Sequence, residues 1–392
     1  MDMVSSREVV INLIRGKRVD RVGIWDDPWL DTIKCWVDQG YPTRIVHKVI
    51  GEKWWSRNNG RWYVVEHEGD YEEPIPIWEH FKYDMNEMGP EFDDLPLRNY
   101  SEIVEETSEW ESRRNGAGAV IKNWKNHSGA PQKVEFRMVT RDIWERDYRP
   151  YLLQFDSQRV DIPEMMMNKL RQEKAQIFTT YGHTFIWELA RQSMGDVTLY
   201  ESLLLDPGWI HDYNRVYTDF YKKILTYTFD KVGKPDAFAL YEDLGYRSGL
   251  FASPKVLSEL YFPYYKELID FFHENDIPVI LHSCGSVADA LPLVVEVGFD
   301  ALNPMERKAD KNDPFLFAEK YGEKLAFIGG FDARILETND KDLIRREVSR
   351  YIEGMKIRGA RLIFASDHSI STYVRYDTYS YAVDIYREHM LY

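Results

Sequence analysis

The segment LHSCGSV places a histidine and a cysteine two positions apart, His282 and Cys284. In an extended chain that spacing points both side chains to the same side of the strand. Imidazole and thiolate are ligands for borderline and soft cations. The pair alone is a weak signal, because a buried cysteine often behaves as a small apolar residue and short motifs match by chance. Its company adds weight: Glu306 stands at the end of the next apolar run, and Asp367 with His368 at the end of the last. A zinc ion needs three or four N, S or O donors at about 2.0–2.3 Å, and His282 and Cys284 with Glu306 and either Asp367 or His368 could supply them. Polar residues end the other apolar runs too. Asp26, Glu242 and His368 are expected to handle protons, and Trp25, His183, Asp243, Asn303 and Asp332 to contact substrate. The competing reading for Asp26 and Asp332 is a helix N-cap. Cys35, in LDTIKCWVDQG, shares helical spacing with Ile33 and Trp36 and reads as packing.

Residues so scattered along the chain need a scaffold that gathers strand ends. From about Ala175 the sequence repeats a short β-rich run, a polar or glycine stop and an amphipathic helical stretch. The strand runs are QIFTTYG, AFALYEDLG, PVILHSCG, ALNPME, LAFIGGFD and RLIFASDHS, with RVGIWDD as a first strand. Their apolar residues are nearly continuous, as in strands covered on both faces. Helical stretches such as SPKVLSELYFPYYKELIDFFHEND and DKDLIRREVSRYIEGMKIRG alternate with them. Seven such strands point to an eighth and to a (β/α)8 barrel, whose chemistry sits at the C-terminal ends of its strands. Residues from about 51 to 150 break the rhythm with hairpin-like runs, RWYVVEHEGD and GAGAVIKNWKNHSGAPQKVEF, and no Pro/Gly/Ser-rich linker isolates them. They are read as an elaboration at the barrel mouth of a single domain, residues 1–392.

Composition narrows the function. A net charge of −15 over 392 residues, with no basic cluster, argues against a nucleic-acid partner, which needs a concentrated basic face. No window approaches the roughly 18 apolar residues that span a bilayer, and no secretory h-region opens the chain. Two cysteines in 392 residues fit a reducing compartment. The expectation is a soluble, cytoplasmic protein acting on a small molecule.

The runs YEDLGYRSGLFASP, VILHSCGSV, DALNPMERKADKN, LAFIGGFDARIL and RLIFASDHSIS, in this order between Tyr241 and Ser371, resemble the uroporphyrinogen decarboxylase superfamily. That superfamily includes the porphyrinogen decarboxylases, the methylcobalamin:coenzyme M methyltransferases and, more distantly, cobalamin-independent methionine synthase. The methyltransferase branches hold zinc through an H-x-C pair and a later Cys, with a Glu added in the methionine synthase branch. Glu306 lies 22 residues past Cys284, and Asp367 lies 61 past Glu306. That register matches, with aspartate where the later Cys would stand. A carboxylate there hardens the site, though His and Cys still favour zinc over magnesium or calcium. The decarboxylase branch resembles a different signature, an Arg-rich N-terminal segment followed by a catalytic Asp. RVGIWDDPWLDTIKCW has Trp and Asp in that region, and the late G-H-G-I segment aligns with DHSI, which places His368 toward the pocket in either branch.

The resemblance therefore implies metal-assisted methyl transfer between a small substrate and a corrinoid or thiol. The chain has no D-x-H-x-x-G corrinoid-ligating motif, so the corrinoid would arrive on a partner protein; the family also implies a homodimer. In a demethylation, Glu242 or His368 would protonate the departing oxygen. Two alternatives stand beside this reading. One is a cofactor-free decarboxylase or other lyase run by Asp26, Glu242 and Asp243; the other is a non-catalytic binding protein on the same barrel.

Overall fold

The computed structural model describes residues 5–56, 61–87, 92–125 and 131–392. The fold is the (β/α)8 barrel. Its strands are β1 (Gly23–Ile24), β2 (Met85–Glu87), β3 (Phe178–Thr184), β4 (Ala237–Tyr241), β5 (Val279–His282), β6 (Ala301–Asn303), β7 (Ala326–Ile328) and β8 (Leu362–Phe364). They form one eight-stranded sheet in the order β1-β8-β7-β6-β5-β4-β3-β2, in which β2 to β8 each lie beside their chain neighbours and β1 lies beside β8. All seven strands read from the sequence are present. The eighth, β2, reads MNE; it is too short and too polar to show an apolar run, and it lies within the hairpin-rich stretch.

That stretch is as rich in hairpins as its pattern indicates. Thr43–Lys48 pairs antiparallel with Gly69–Pro74, and Lys53–Ser56 with Arg61–Val64. Ser101–Glu106, Trp110–Asn115, Val120–Trp124 and Gln132–Glu135 make a four-stranded antiparallel sheet. Part of the run GAGAVIKNWKNHSGAPQKVEF, residues 126–130, lies outside the described residues. Among the described residues no helix is long and apolar enough to cross a membrane.

The chain divides into two compact units, one of residues 1–86, 304–307 and 313–392, the other of residues 87–303 and 308–312. In the first, β1 runs parallel to β8 and β8 to β7, with Gly23 opposite Ile363 and Phe327 opposite Leu362. Asp84, just ahead of β2, ties itself to β1 twice. Its N–H donates to Ile24 O, and its Oδ2 accepts from Ile24 N, both at 2.9 Å. The same carboxylate takes two guanidinium bonds from Arg21, each 2.6 Å. In the second unit β3, β4, β5 and β6 run parallel in successive pairs. Their residues Ala237–Leu240 and Val279–Leu281 are all buried, which is the continuous apolar signal that made them legible.

Helix starts follow local rules. Ser253 caps Pro254–Leu260, Asp206 caps Pro207–Val232 and Asp340 caps Lys341–Ile357, each with its side-chain oxygen on a first-turn N–H.

Asp84 is 1% exposed in a charged, bidentate pair, so Asp84→Ala strands a largely buried guanidinium. Removing one partner of a buried pair costs about 3–5 kcal/mol, and the urea midpoint of Asp84→Ala should fall accordingly. A loss under about 1 kcal/mol, the range of an exposed pair, would show that Arg21 and Asp84 do not fasten β1.

Candidate functional site

Side chains on a strand alternate between its two faces, and this alternation sorts the polar strand ends of the second unit. Gly182 on β3, Tyr241 and Asp243 at the end of β4, His282 and Cys284 at the end of β5, and Asn303 on β6 share one face. Their chain neighbours His183, Glu242 and Ser283 face the other way.

On the first face three donors converge. A carboxylate oxygen of Asp243, an imidazole nitrogen of His282 and Cys284 Sγ all lie within 4.8 Å of one another, and all three residues are half-buried. Cys284 Sγ is 3.6 Å from His282 Nε2. His282 Nδ1 donates to Asn303 Oδ1 at 2.6 Å, which directs the Nε2 lone pair toward the cysteine and sets the tautomer a metal-binding histidine needs. Asp243 is placed by the backbone, its Oδ1 accepting from Cys284 N at 2.8 Å. One nitrogen, one sulfur and one oxygen donor, with the imidazole already oriented, fit a cation of borderline softness such as zinc.

Two glycines bring the loops after β4 and β5 together. A Cβ on Gly245 would lie 2.3 Å from Ser286 O, and one on Gly285 would lie 2.4 Å from Gly245 C and O. Gly285 also has φ +74. Ser286 N then donates to Tyr246 O at 2.8 Å, and Asn312 Nδ2 to Gly285 O at 2.8 Å.

The profile of the family described as Uroporphyrinogen decarboxylase (URO-D) matches residues 192–389. The chain belongs to the uroporphyrinogen decarboxylase family. Among solved structures it is similar to a methyltransferase from Methanosarcina mazei, at 14% identity and a TM-score of 0.64 over 98% of each chain. Lesser likenesses are to a Xaa-Pro dipeptidase with bound methionine (10% identity, TM-score 0.30, 56% of each chain) and to a xylose isomerase domain protein from Alicyclobacillus acidocaldarius subsp. acidocaldarius. The latter is 10% identical, with a TM-score of 0.24 over 61% of this chain and 94% of that one. No curated protein matches the chain.

In this family member several residues expected to do chemistry lie outside the three-donor cluster. Glu242 is fully buried, on the opposite strand face from Asp243. Its carboxylate accepts from Phe185 N (2.6 Å) and Trp187 N (2.8 Å) at the start of the helix Ile186–Leu205, and from the Tyr265 hydroxyl. It holds the amides at a helix terminus, on the strand face away from the three-donor cluster. Burial pushes its pKa up to about 8, against the pull of those hydrogen bonds. His183 likewise turns away from the site face. Its ring stacks on Phe92 at 4.3 Å, and Nδ1 meets Tyr221 Oη at 2.9 Å and Asp94 Oδ2 at 3.3 Å. Asn303 accepts from His282 Nδ1 and so orients that ring.

The remaining candidates lie in the first unit. Asp26 is no helix cap. It is buried beneath the Ser366 hydroxyl (2.6 Å) and the Tyr379 hydroxyl (3.0 Å), and burial pushes its pKa up to about 7. Asp367 accepts from Arg307 N at 2.6 Å and Ala333 N at 2.9 Å, one on each oxygen. Asp332 caps the helix Ala333–Glu337 and pairs with Arg334, the bland role the sequence allowed. Glu306 is half-buried. His368 is exposed, 6.3 Å from the Trp29 ring. Trp25 is half-buried, and its N–H donates to Phe364 O.

Two measurements bear on this geometry. A carboxyl whose pKa is raised on folding binds its proton more tightly in the native state, so stability falls as pH rises from the ordinary carboxylate value toward the raised one. For Glu242 that window runs from 4.5 to about 8. The thermal midpoint should decline from pH 5 to 9, and Glu242→Gln should flatten the decline while lowering the midpoint at pH 5. An unchanged slope would mean that folding does not raise the Glu242 pKa. Separately, Gly285→Ala meets both a left-handed backbone, worth about 1–2 kcal/mol, and a clash, and should abolish zinc binding in protein that still folds by circular dichroism. Zinc retained at parental affinity would show that the loop contact does not shape the cluster.

Proposed function

We propose that this protein is a metal-dependent methyltransferase, moving a methyl group between a small substrate and a corrinoid or thiol. The observation that carries the reading is the convergence of Asp243, His282 and Cys284 within 4.8 Å at adjacent strand ends, the part of a (β/α)8 barrel where chemistry is done. The fold likeness to a methyltransferase is consistent with it.

His282, Cys284 and Asp243 would hold the metal, with zinc the cation their donor set suits. Bound there, zinc supplies a Lewis acid that lowers the pKa of a nucleophilic thiol. The protein's own part is positional. Asn303 fixes which imidazole nitrogen faces the cluster, and the Cys284 amide fixes the Asp243 carboxylate. Glu306 and Asp367 remain candidates for further ligands through their register with the resembled family. The corrinoid would come on a partner protein, because this chain has no corrinoid-ligating motif; a homodimer is the assembly the family implies.

Protein purified without chelator should contain close to one zinc per chain, and Cys284→Ser and His282→Ala should each weaken zinc binding by at least about tenfold, because ligation depends on the full deprotonated set. The metal-loaded protein should demethylate methylcobalamin with one of a panel of thiols, or methylate cob(I)alamin from a methoxylated aromatic, read from the corrinoid spectrum. A flat spectrum in both directions, with carbon dioxide released from a carboxylated substrate, would replace methyl transfer with the lyase reading.

A further inference from the structure

A line of residues of the second unit crosses neighbouring strands on the site face: Glu87 at the end of β2, Gly182 on β3, Tyr241 on β4, His282 on β5 and Asn303 on β6. Contacts run along this line. The Tyr241 hydroxyl donates to Glu87 Oε2, although β3 stands between their strands. The bond spans that gap because the intervening residue has no side chain. A Cβ on Gly182 would lie 2.6 Å from Glu87 Oε1 and 2.6 Å from Tyr241 Cε2. On its other side the Tyr241 ring packs on the His282 ring, centroids 4.7 Å apart and planes at 51°, and His282 Nδ1 reaches Asn303.

We propose that Glu87 and Tyr241 are positioning residues that brace the His282 imidazole from the side opposite Asn303. The inference rests on the metal reading of the Asp243, His282 and Cys284 cluster. The physical need is specific. The terminal torsion of histidine is broad and shallow, so the hydrogen bond to Asn303 sets the tautomer without by itself fixing the plane of the ring. A phenol ring against one face limits the swing of that plane, provided the phenol is itself immobile. A carboxylate acceptor supplies a strong, charge-assisted bond at its far end. Gly182 is then the notch through which the brace passes, and this explains a glycine inside a strand, where it otherwise weakens the strand.

The test uses the full chain, with Zn2+ and Co2+ as probes. Tyr241→Phe keeps the ring and loses the anchor, Gly182→Ala fills the notch without removing any polar group, and Glu87→Ala removes the acceptor. Each should weaken Zn2+ binding by about 10–100-fold, the usual effect of groups that orient a ligand, and shift the visible spectrum of the Co2+ form, while Glu87→Gln, which keeps an acceptor, stays within about threefold of the parent. The Tyr241→Phe/Glu87→Ala double variant should be no worse than the weaker single variant, because both remove the same contact. A second readout needs no metal. In metal-free protein the nitrogen-15 resonances of His282 should show a single Nδ1–H tautomer in the parent and exchange broadening in Tyr241→Phe.

If His282→Ala and Cys284→Ser lose zinc while Tyr241→Phe, Gly182→Ala and Glu87→Ala bind it like the parent, the brace is wrong and the metal site stands. If His282→Ala and Cys284→Ser bind zinc like the parent, the metal reading falls. The brace then stands or falls on the His282 resonances alone, and unchanged resonances in Tyr241→Phe overturn it.

Discussion

The close approach of two backbones, at Gly245 after β4 and Gly285 after β5, is the constraint on which the candidate site depends. The gap between them is narrower than any side chain, since a Cβ on either would stand within 2.4 Å of the other loop's backbone. That approach lets the Cys284 amide reach the Asp243 carboxylate at 2.8 Å and Ser286 N reach Tyr246 O. Without it the two strands would still run parallel, but the oxygen donor would not sit beside the nitrogen and the sulfur. The site is thus assembled by backbone hydrogen bonds, which are short-ranged and directional, and its side chains inherit their positions from them.

Strand alternation then divides labour. One face of β4 and β5 presents Tyr241, Asp243, His282 and Cys284. The other presents Glu242 and Ser283, both fully buried and both used internally. Ser283 Oγ accepts from Leu244 N at 3.0 Å, and Glu242 takes up first-turn amides of the helix Ile186–Leu205. A carboxylate at a helix N-terminus is favoured by the unpaired amides and the helix dipole. The cost is desolvation of the charge, and the raised pKa records which effect is larger. Asp26 in the other unit repeats the pattern with hydroxyl donors.

The amino-acid sequence by itself determined the class of the fold and seven of its eight strands, because apolar continuity, glycine stops and helical periodicity are local properties of a chain. It also determined the His282 and Cys284 pair, since a spacing of two needs only an extended backbone. Strand alternation applied to AFALYEDLG likewise separates Glu242 from Asp243.

Tertiary structure alone decided the rest. That Asp243 joins His282 and Cys284 follows from a loop contact between residues 40 apart in sequence, 245 and 285. That MNE is a strand follows from its place in the sheet order, since its own three side chains carry almost no apolar signal. The bond from Tyr241 to Glu87, 154 residues away, depends on which strands become neighbours and on the glycine between them. Such contacts join parts of the chain whose sequences carry no trace of one another, and only the closing of long loops by the folded sheet brings them within hydrogen-bonding range.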